Sequence, residues 1–359
     1  MALADPLYAT SPTIEIGGQS YPLIQQNLVR MRMREALGGL SSLELSFIDT
    51  VEDGGTSHYA AGAGSPLELG AGVRVFGGAH EVGAPEIFDG QVTALEAEVR
   101  ENEPPLITIL AEDRLFPARR RRRTKLYEQQ KLGDVISAIA GDYGLSPQIF
   151  DGIDQTTRDW MQGDETDLAF MRRILERFDC DLQVVGARLQ VGRVGMNRRS
   201  LVPLAMGNTL ISARITADIA EQVTSLTLGS FDPTAGSAVS SHADAAGFGP
   251  GSGSSGPDML NDKFSAVAMH LGREAPLPDA DGTAIASLDG QRRARSFVRV
   301  DGCARGDGNL RVGSWIDLSG VNPRFANQYA VREAVHRFDL EGGYRTDFIA
   351  ECAYLGTAQ

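Results

Sequence analysis

The stretch Phe88–Leu145, FDGQVTALEAEVRENEPPLITILAEDRLFPARRRRRTKLYEQQKLGDVISAIAGDYGL, changes its hydrophobic period once, and that change decides the fold class. Val92–Val99 and Leu106–Ala111 alternate with the period of two expected of half-buried strands. Past the arginine run, Leu132, Val135, Ile136, Ile139, Ala140 and Tyr143 recur at helical spacing, and Gly144 stands where a C-terminal cap belongs. Working outward, Leu28–Arg34 (LVRMRMR), Ser42–Thr50 and Val73–Phe76 repeat the strand pattern, with turn signals at Asp53-Gly54-Gly55 and Gly77-Gly78.

Downstream, Leu168, Met171, Ile174, Leu175 and Phe178 predict a second helix from about Asp167, with Asp164, Glu165 and Thr166 at its start as caps and dipole-favourable acids. Asp181–Gly192 reads as a hairpin turning at Gly186. The remainder returns to β at Leu210–Ile215, Gln222–Leu228, Ser296–Val300, Trp315–Leu318, Tyr329–Phe338 and Arg345–Ala353, with a short helix near Ala284–Arg295. The Gly, Ser and Ala-rich tract from Thr234 to Asp258 is too poor in apolar residues to pack and is expected to be a flexible loop. The predicted fold class is α+β, mostly β. Its units are a first β domain at 1–115, a small α+β domain at 116–202, and a second β domain at 203–359 carrying the loop at about 234–258.

The chain of 359 residues carries a net charge of −13, split as −11 over 1–115, +3 over 116–202 and −5 over 203–359. That balance repels phosphates at long range and argues against general nucleic-acid binding. No run approaches the ~20 apolar residues of a membrane helix, and Met1–Thr10 lacks the basic-then-apolar order of a signal peptide. No membrane insertion is expected. Cys180, Cys303 and Cys352 show no CxxC spacing and read as buried reduced thiols.

Catalytic signatures are missing. The five histidines stand alone, and neither an HExxH, a GxSxG nor a Walker A pattern occurs. His336 lies in a strand beside apolar residues and reads as a hydrogen-bonded structural residue. Gly251-x-Gly253-x-x-Gly256 spells a dinucleotide fingerprint, but the expectation is that no strand leads in and no helix follows to support a pyrophosphate. Arg305-Gly306-Asp307 is accounted for by a turn. No cofactor, metal or catalytic residue is assigned. The strongest local anomaly is Arg119, Arg120, Arg121, Arg122 and Arg123. Five arginines could clamp phosphates, but no aromatic residue is interleaved to stack bases. The preferred reading gives them inter-domain or inter-subunit ion pairs.

Three stretches belong together. The first is Phe88–Leu145, with its strand pair, EDRL turn, basic run and LGDVISAIA helix. The second is Trp160-Met161-Gln162 followed by DETDLAFMRRILERFDCDLQVVGARLQVG, and the third is LSGVNPRFANQYAVREAVHRFDLEGGYRTDFIAE, Leu318–Glu351. In this order they resemble the phage late control protein D family, hub proteins of contractile tails that are similar to the N-terminal part of VgrG spike proteins.

The resemblance implies a structural, non-enzymatic baseplate hub of a contractile phage tail or extracellular injection system. Its two β regions would be tube-like antiparallel β-barrel domains, so that a homotrimer presents six similar domains to a six-fold tail tube and meets a trimeric spike below. Implied partners are tail tube or tube-initiator proteins, other baseplate proteins, and a spike expected to be a separate polypeptide because few residues follow the last strand. The chain would be made in the cytoplasm and assembled into a virion or extracellular particle. Rival readings are a peptidoglycan-degrading tail enzyme and a DNA-binding protein using Arg119–Arg123.

Overall fold

A computed structural model describes residues 11–53, 56–62, 64–78, 83–232, 235–272 and 279–356. Met1–Thr10, Gly54-Gly55 and His80 lie outside them.

Eight strands carry the architecture. They are β1 (Leu28–Ala36), β2 (Ser42–Ile48), β3 (Glu86–Glu98), β4 (Leu106–Asp113), β5 (Leu210–Ala217), β6 (Val298–Arg305), β7 (Gln328–Asp339) and β8 (Gly343–Cys352). All lie in one sheet in the order β5-β6-β8-β7-β1-β2-β4-β3, so the first and last regions of the chain share a sheet through β7 and β1. Alternation explains the burial. Met31 and Met33 of β1 are fully buried while Arg30, Arg32 and Arg34 point to the open face. The sheet is open rather than closed on itself among the described residues.

The two halves of this sheet repeat each other strand for strand. In the first, Met33, Leu43, Ala111 and Val92 stand opposite one another across β1, β2, β4 and β3. In the second, Ile215, Val300, Ala350 and Val331 do the same across β5, β6, β8 and β7. The bulges coincide as well. Register shifts fall between Leu28 and Arg30 and again between Leu210 and Ser212. They fall between Val92 and Ala94 and again between Val331 and Glu333. A short strand also covers the first half of each long strand: Gly72–Phe76 lies on β3 and Trp315–Ser319 on β7. Bulges bend a strand and are built features of a sheet, so their coincidence marks one design used twice.

Residues 115–193 form a separate core of Leu132, Val135, Ile136, Ile139, Phe170, Met171 and Ile174 with the aromatic pair Trp160 and Phe178. Helix α1 (Leu132–Asp142) buries the apolar stripe read from the sequence. Helix α2 (Asp167–Glu176) starts at Thr166, whose hydroxyl accepts from Ala169 N at 3.2 Å. The hairpin Cys180–Val185 and Arg188–Arg193 turns at Gly186, φ +56°. Arg122–Gln130 and Arg158–Thr166 form a second antiparallel pair, so the arginine run enters a strand.

The strand read at Gln222–Leu228 is found at Ser225–Asp232; it pairs with Ser237–Asp244 and Ala268–Leu271 in a satellite sheet apart from the main one, over which α4 (Asp279–Arg295) packs through Ile285 and Ala286. One expectation for the last region needs correction: the tract at 234–258 is not a loop throughout. Ser237–Asp244 is one of those strands, and α3 (Gly256–Lys263) begins inside the tract with Ser255 capping Asp258 N. Its glycines are compact contact points. A Cβ on Gly251, already at φ +97°, would come within 2.6 Å of Cys352 Sγ, and Gly253 and Gly256 are pressed as closely on Leu355 and Gln222. Small residues pack here by admitting neighbours rather than by burying their own surface.

Candidate interaction surfaces

The arginine run is expected to form inter-domain or inter-subunit ion pairs; within the chain, among the described residues, only Arg119 pairs across from residues 116–202 to 1–115, while Arg121, Arg122 and Arg123 pair inside the α+β unit and Arg120 stacks on a ring. Arg119 meets Glu112 at 2.9 Å, and Arg119 and Arg120 lie over the Phe116 ring at 5.3 and 5.4 Å from its centre. Arg121 is 3.8 Å from Asp142, and Arg122 Nε is 3.3 Å from Asp164. Arg123 is the most enclosed; it bridges Asp142 at 2.9 Å and the fully buried Asp167, to which Gln162 donates at 2.8 Å. The sequence placed Asp164, Glu165 and Thr166 together as helix-start residues. Thr166 alone caps the helix, while Asp164 faces Arg122 and Glu165 faces Arg173.

A second ionic cluster, invisible in the sequence, joins the regions. Glu35 of β1 is fully buried, and its carboxylate accepts from Arg311 Nε at 2.5 Å, Arg311 Nη2 at 3.0 Å, Arg199 Nη2 at 2.9 Å and Val312 N at 3.3 Å. Burial would raise this carboxyl, but the two guanidinium groups outweigh it and hold it at about 2. Beside it, Asp181 pairs with Arg198 at 2.6 Å and accepts from Gly38 N, and Arg295 of α4 pairs with Asp179 at 2.7 Å. Asp113 is buried nearby and accepts from Ser41 N at 2.6 Å and Leu115 N at 2.9 Å; burial pushes its carboxyl up to about 6.

His336 is buried, with Nδ1 2.7 Å from Tyr344 Oη and 3.2 Å from Thr346 Oγ1; burial, then the charge of Arg311, holds its imidazole down at about 3. A neutral, enclosed imidazole supports the hydrogen-bonded role read for it. Cys180 and Cys352 are buried free thiols and Cys303 is half-buried.

The dinucleotide-like string needs one correction: a helix does follow it, since α3 starts at Gly256. The three glycines are nevertheless filled by Cys352, Leu355 and Gln222, which leaves no cradle for a pyrophosphate. A cleft of about 700 Å³ between α2 and α4 is lined by arginines that already have acceptors, among them Arg295 with Asp179, Arg332 with Glu351 and Arg172 with the carbonyl of Gly38. Among the described residues no cluster of His, Cys, Asp or Glu could hold a metal, and no helix is long and apolar enough to cross a membrane.

Two sheet edges remain. Among the described residues no strand pairs with the outer edge of β5, nor with β3 beyond Val92. Leu95, Val99 and Ile211 there are 39, 80 and 38% exposed.

Comparison with known proteins gives this geometry a context. No curated protein matches the sequence. The 43 kDa tail protein of prophage MuSo2 from Shewanella oneidensis shares 12% identity, 95% of this chain and 97% of that one aligning with a TM-score of 0.68. A tail protein from Neisseria meningitidis shares 8% identity over 95% of this chain and 96% of that one, TM-score 0.64. The E. coli c3393 protein, described as a component of the type VI secretion system with structural similarity to T4 bacteriophage tail proteins gp27 and gp5, shares 13% identity over 96% of this chain and 79% of that one, TM-score 0.60. The fold is therefore that of phage tail and VgrG-like proteins, as the sequence resemblance implied. A family model described as the Alg8 N-terminal domain matches residues 9–339, and the chain belongs to that family.

Proposed function

We propose that this protein is the baseplate hub of a contractile phage tail or extracellular injection particle. It acts as a homotrimeric ring that joins a six-fold tail tube to a three-fold spike. The observation that carries the reading is the duplicated four-stranded unit, matched bulge for bulge between β1–β4 and β5–β8. Three copies of a chain with two equivalent units offer six equivalent places, which reconciles a three-fold object with a six-fold one.

In this reading the domains are the tube-like units at 1–115 and 203–359, with the α+β unit at 116–202 outside the ring, and the six half-sheets close together into a barrel. The work is done by interfaces, without catalysis: carboxylate-paired Arg119, Arg121, Arg122 and Arg123 and a histidine held neutral by burial support a structural role. The partners are the tail tube or its initiator, other baseplate proteins and a spike. Native mass spectrometry of the purified chain, followed by reconstruction of the particle, tests this. Three copies around the axis with six half-sheets facing it are expected; six copies, or wall-cleaving activity from the chain alone, would refute it.

A further inference from the structure

The internal junction between β7 and β1 can be mapped onto the two open edges, because each of its strands has an equivalent elsewhere in the chain. β7 is equivalent to β3 and β1 to β5. In the internal junction Glu333 stands opposite Ala36, Val335 opposite Arg34 and Asp339 opposite Arg30. The first half of β7's outer edge is taken by Trp315–Ser319 and the second half by β1. The first half of β3's outer edge is taken by Gly72–Phe76 in the same way, but among the described residues no strand pairs with its second half. We propose that this second half pairs antiparallel with β5 of a second copy, repeating the internal junction between chains.

The mapped register puts Leu95 opposite Ala217, Ala97 opposite Ile215, Glu98 opposite Arg214 and Val99 opposite Ala213 of the second copy. The side chains fit that register on both faces. Leu95 and Ala97 share the core face with buried Ile109 and Ile107, and Ile215 and Ala217 share it with buried Val300 and Val298. Pairing would therefore extend one apolar layer from chain to chain and cover Leu95 and Val99. On the open face, Glu96 and Glu98 meet Thr216 and Arg214, so the one charged pair placed directly opposite has opposite signs. A one-residue slip would turn the apolar set of one edge toward the polar set of the other, which fixes the register. The contact joins different edges of two identical chains, so it propagates head to tail, and with the three-fold rotation of the proposed ring it closes on itself.

This inference rests on the ring reading, and the test separates the two. Glu98→Cys with Arg214→Cys is made in the full chain with Cys303→Ser, and the protein is mildly oxidised and sized under denaturing and native conditions. Residues directly opposite in an antiparallel pair are about 4.5–5.5 Å apart at Cα, within disulfide range. Covalent dimers and trimers are expected, with none from Glu98→Cys combined with Thr216→Cys. A native trimer that fails to cross-link at Glu98 and Arg214 would overturn the edge pairing and leave the ring standing. A chain that stays monomeric at every concentration would sink the ring reading and this inference with it. In otherwise native protein, Glu98→Arg should weaken association about tenfold, and adding Arg214→Glu should restore it. Equal loss in the double variant would also count against the pairing.

Discussion

Replacing Glu35 by Gln tests what holds the regions of this chain together. The substitution keeps the shape of the side chain and removes the charge that two enclosed guanidinium groups, Arg199 and Arg311, converge on. Folding lowers this carboxyl from 4.5 to about 2. At about 1.4 kcal/mol per unit, that corresponds to about 3 kcal/mol of stability at neutral pH. The loss in the variant should be of that size, because Arg199 and Arg311 remain enclosed with their charges unmatched. The pH dependence carries a sign. A depressed carboxyl contributes fully above its unfolded value of 4.5 and loses its contribution as pH falls through about 2. Urea denaturation of the Glu35→Gln variant and of the wild-type protein should therefore differ by a constant amount from pH 7 to pH 5 and converge toward pH 2. A difference below about 1 kcal/mol at pH 7, or one that persists at pH 2, would show that the arginines find other acceptors and that the cluster is not what joins the regions.

Asp113 should behave in the opposite way. Burial raises its carboxyl to about 6, so stability should rise as pH falls from 7 toward 4.5, and Asp113→Asn should flatten that rise in urea midpoints. Arg123→Ala should destabilise the α+β unit by about 2 kcal/mol, since it strips the buried Asp167 of its cation, while Arg122→Ala, facing an exposed Asp164, should leave the denaturation curve unchanged. Gly251→Ala should cost at least about 1–2 kcal/mol in thermal or urea unfolding, because the position is left-handed and seated on Cys352. Normal stability there would mean that the 234–258 tract moves freely after all.

What could be read in the sequence followed from period. LVRMRMR became β1 with its methionines buried, and Leu132 to Tyr143 became α1, because alternation and helical spacing depend only on which side faces a core. The tract at 234–258 defeats a reading by composition because its glycines stabilise by closeness, which composition does not record. The duplication was legible only as two β regions of similar character. Its units share pairing and bulges more than side chains: Ala111 and Val92 recur as Ala350 and Val331, but where β1 has Met33 and Glu35, β5 has Ile215 and Ala217. The Glu35 cluster was equally hidden, since its members stand at positions 35, 199 and 311, and only the folded chain makes them neighbours.

The satellite sheet bears on symmetry in a way its packing does not reveal. Residues 218–297 stand between β5 and β6, where the equivalent link from β1 to β2 is only residues 37–41. A duplicated unit that carries such an excursion in one half alone has stopped being interchangeable with its sibling. Around a closed assembly the excursion would recur at every second unit. A neighbour reading only the strands would count six, and one reading the satellites would count three. In the proposed trimer a single polypeptide would thereby present two symmetries, one through its paired units and one through its satellites.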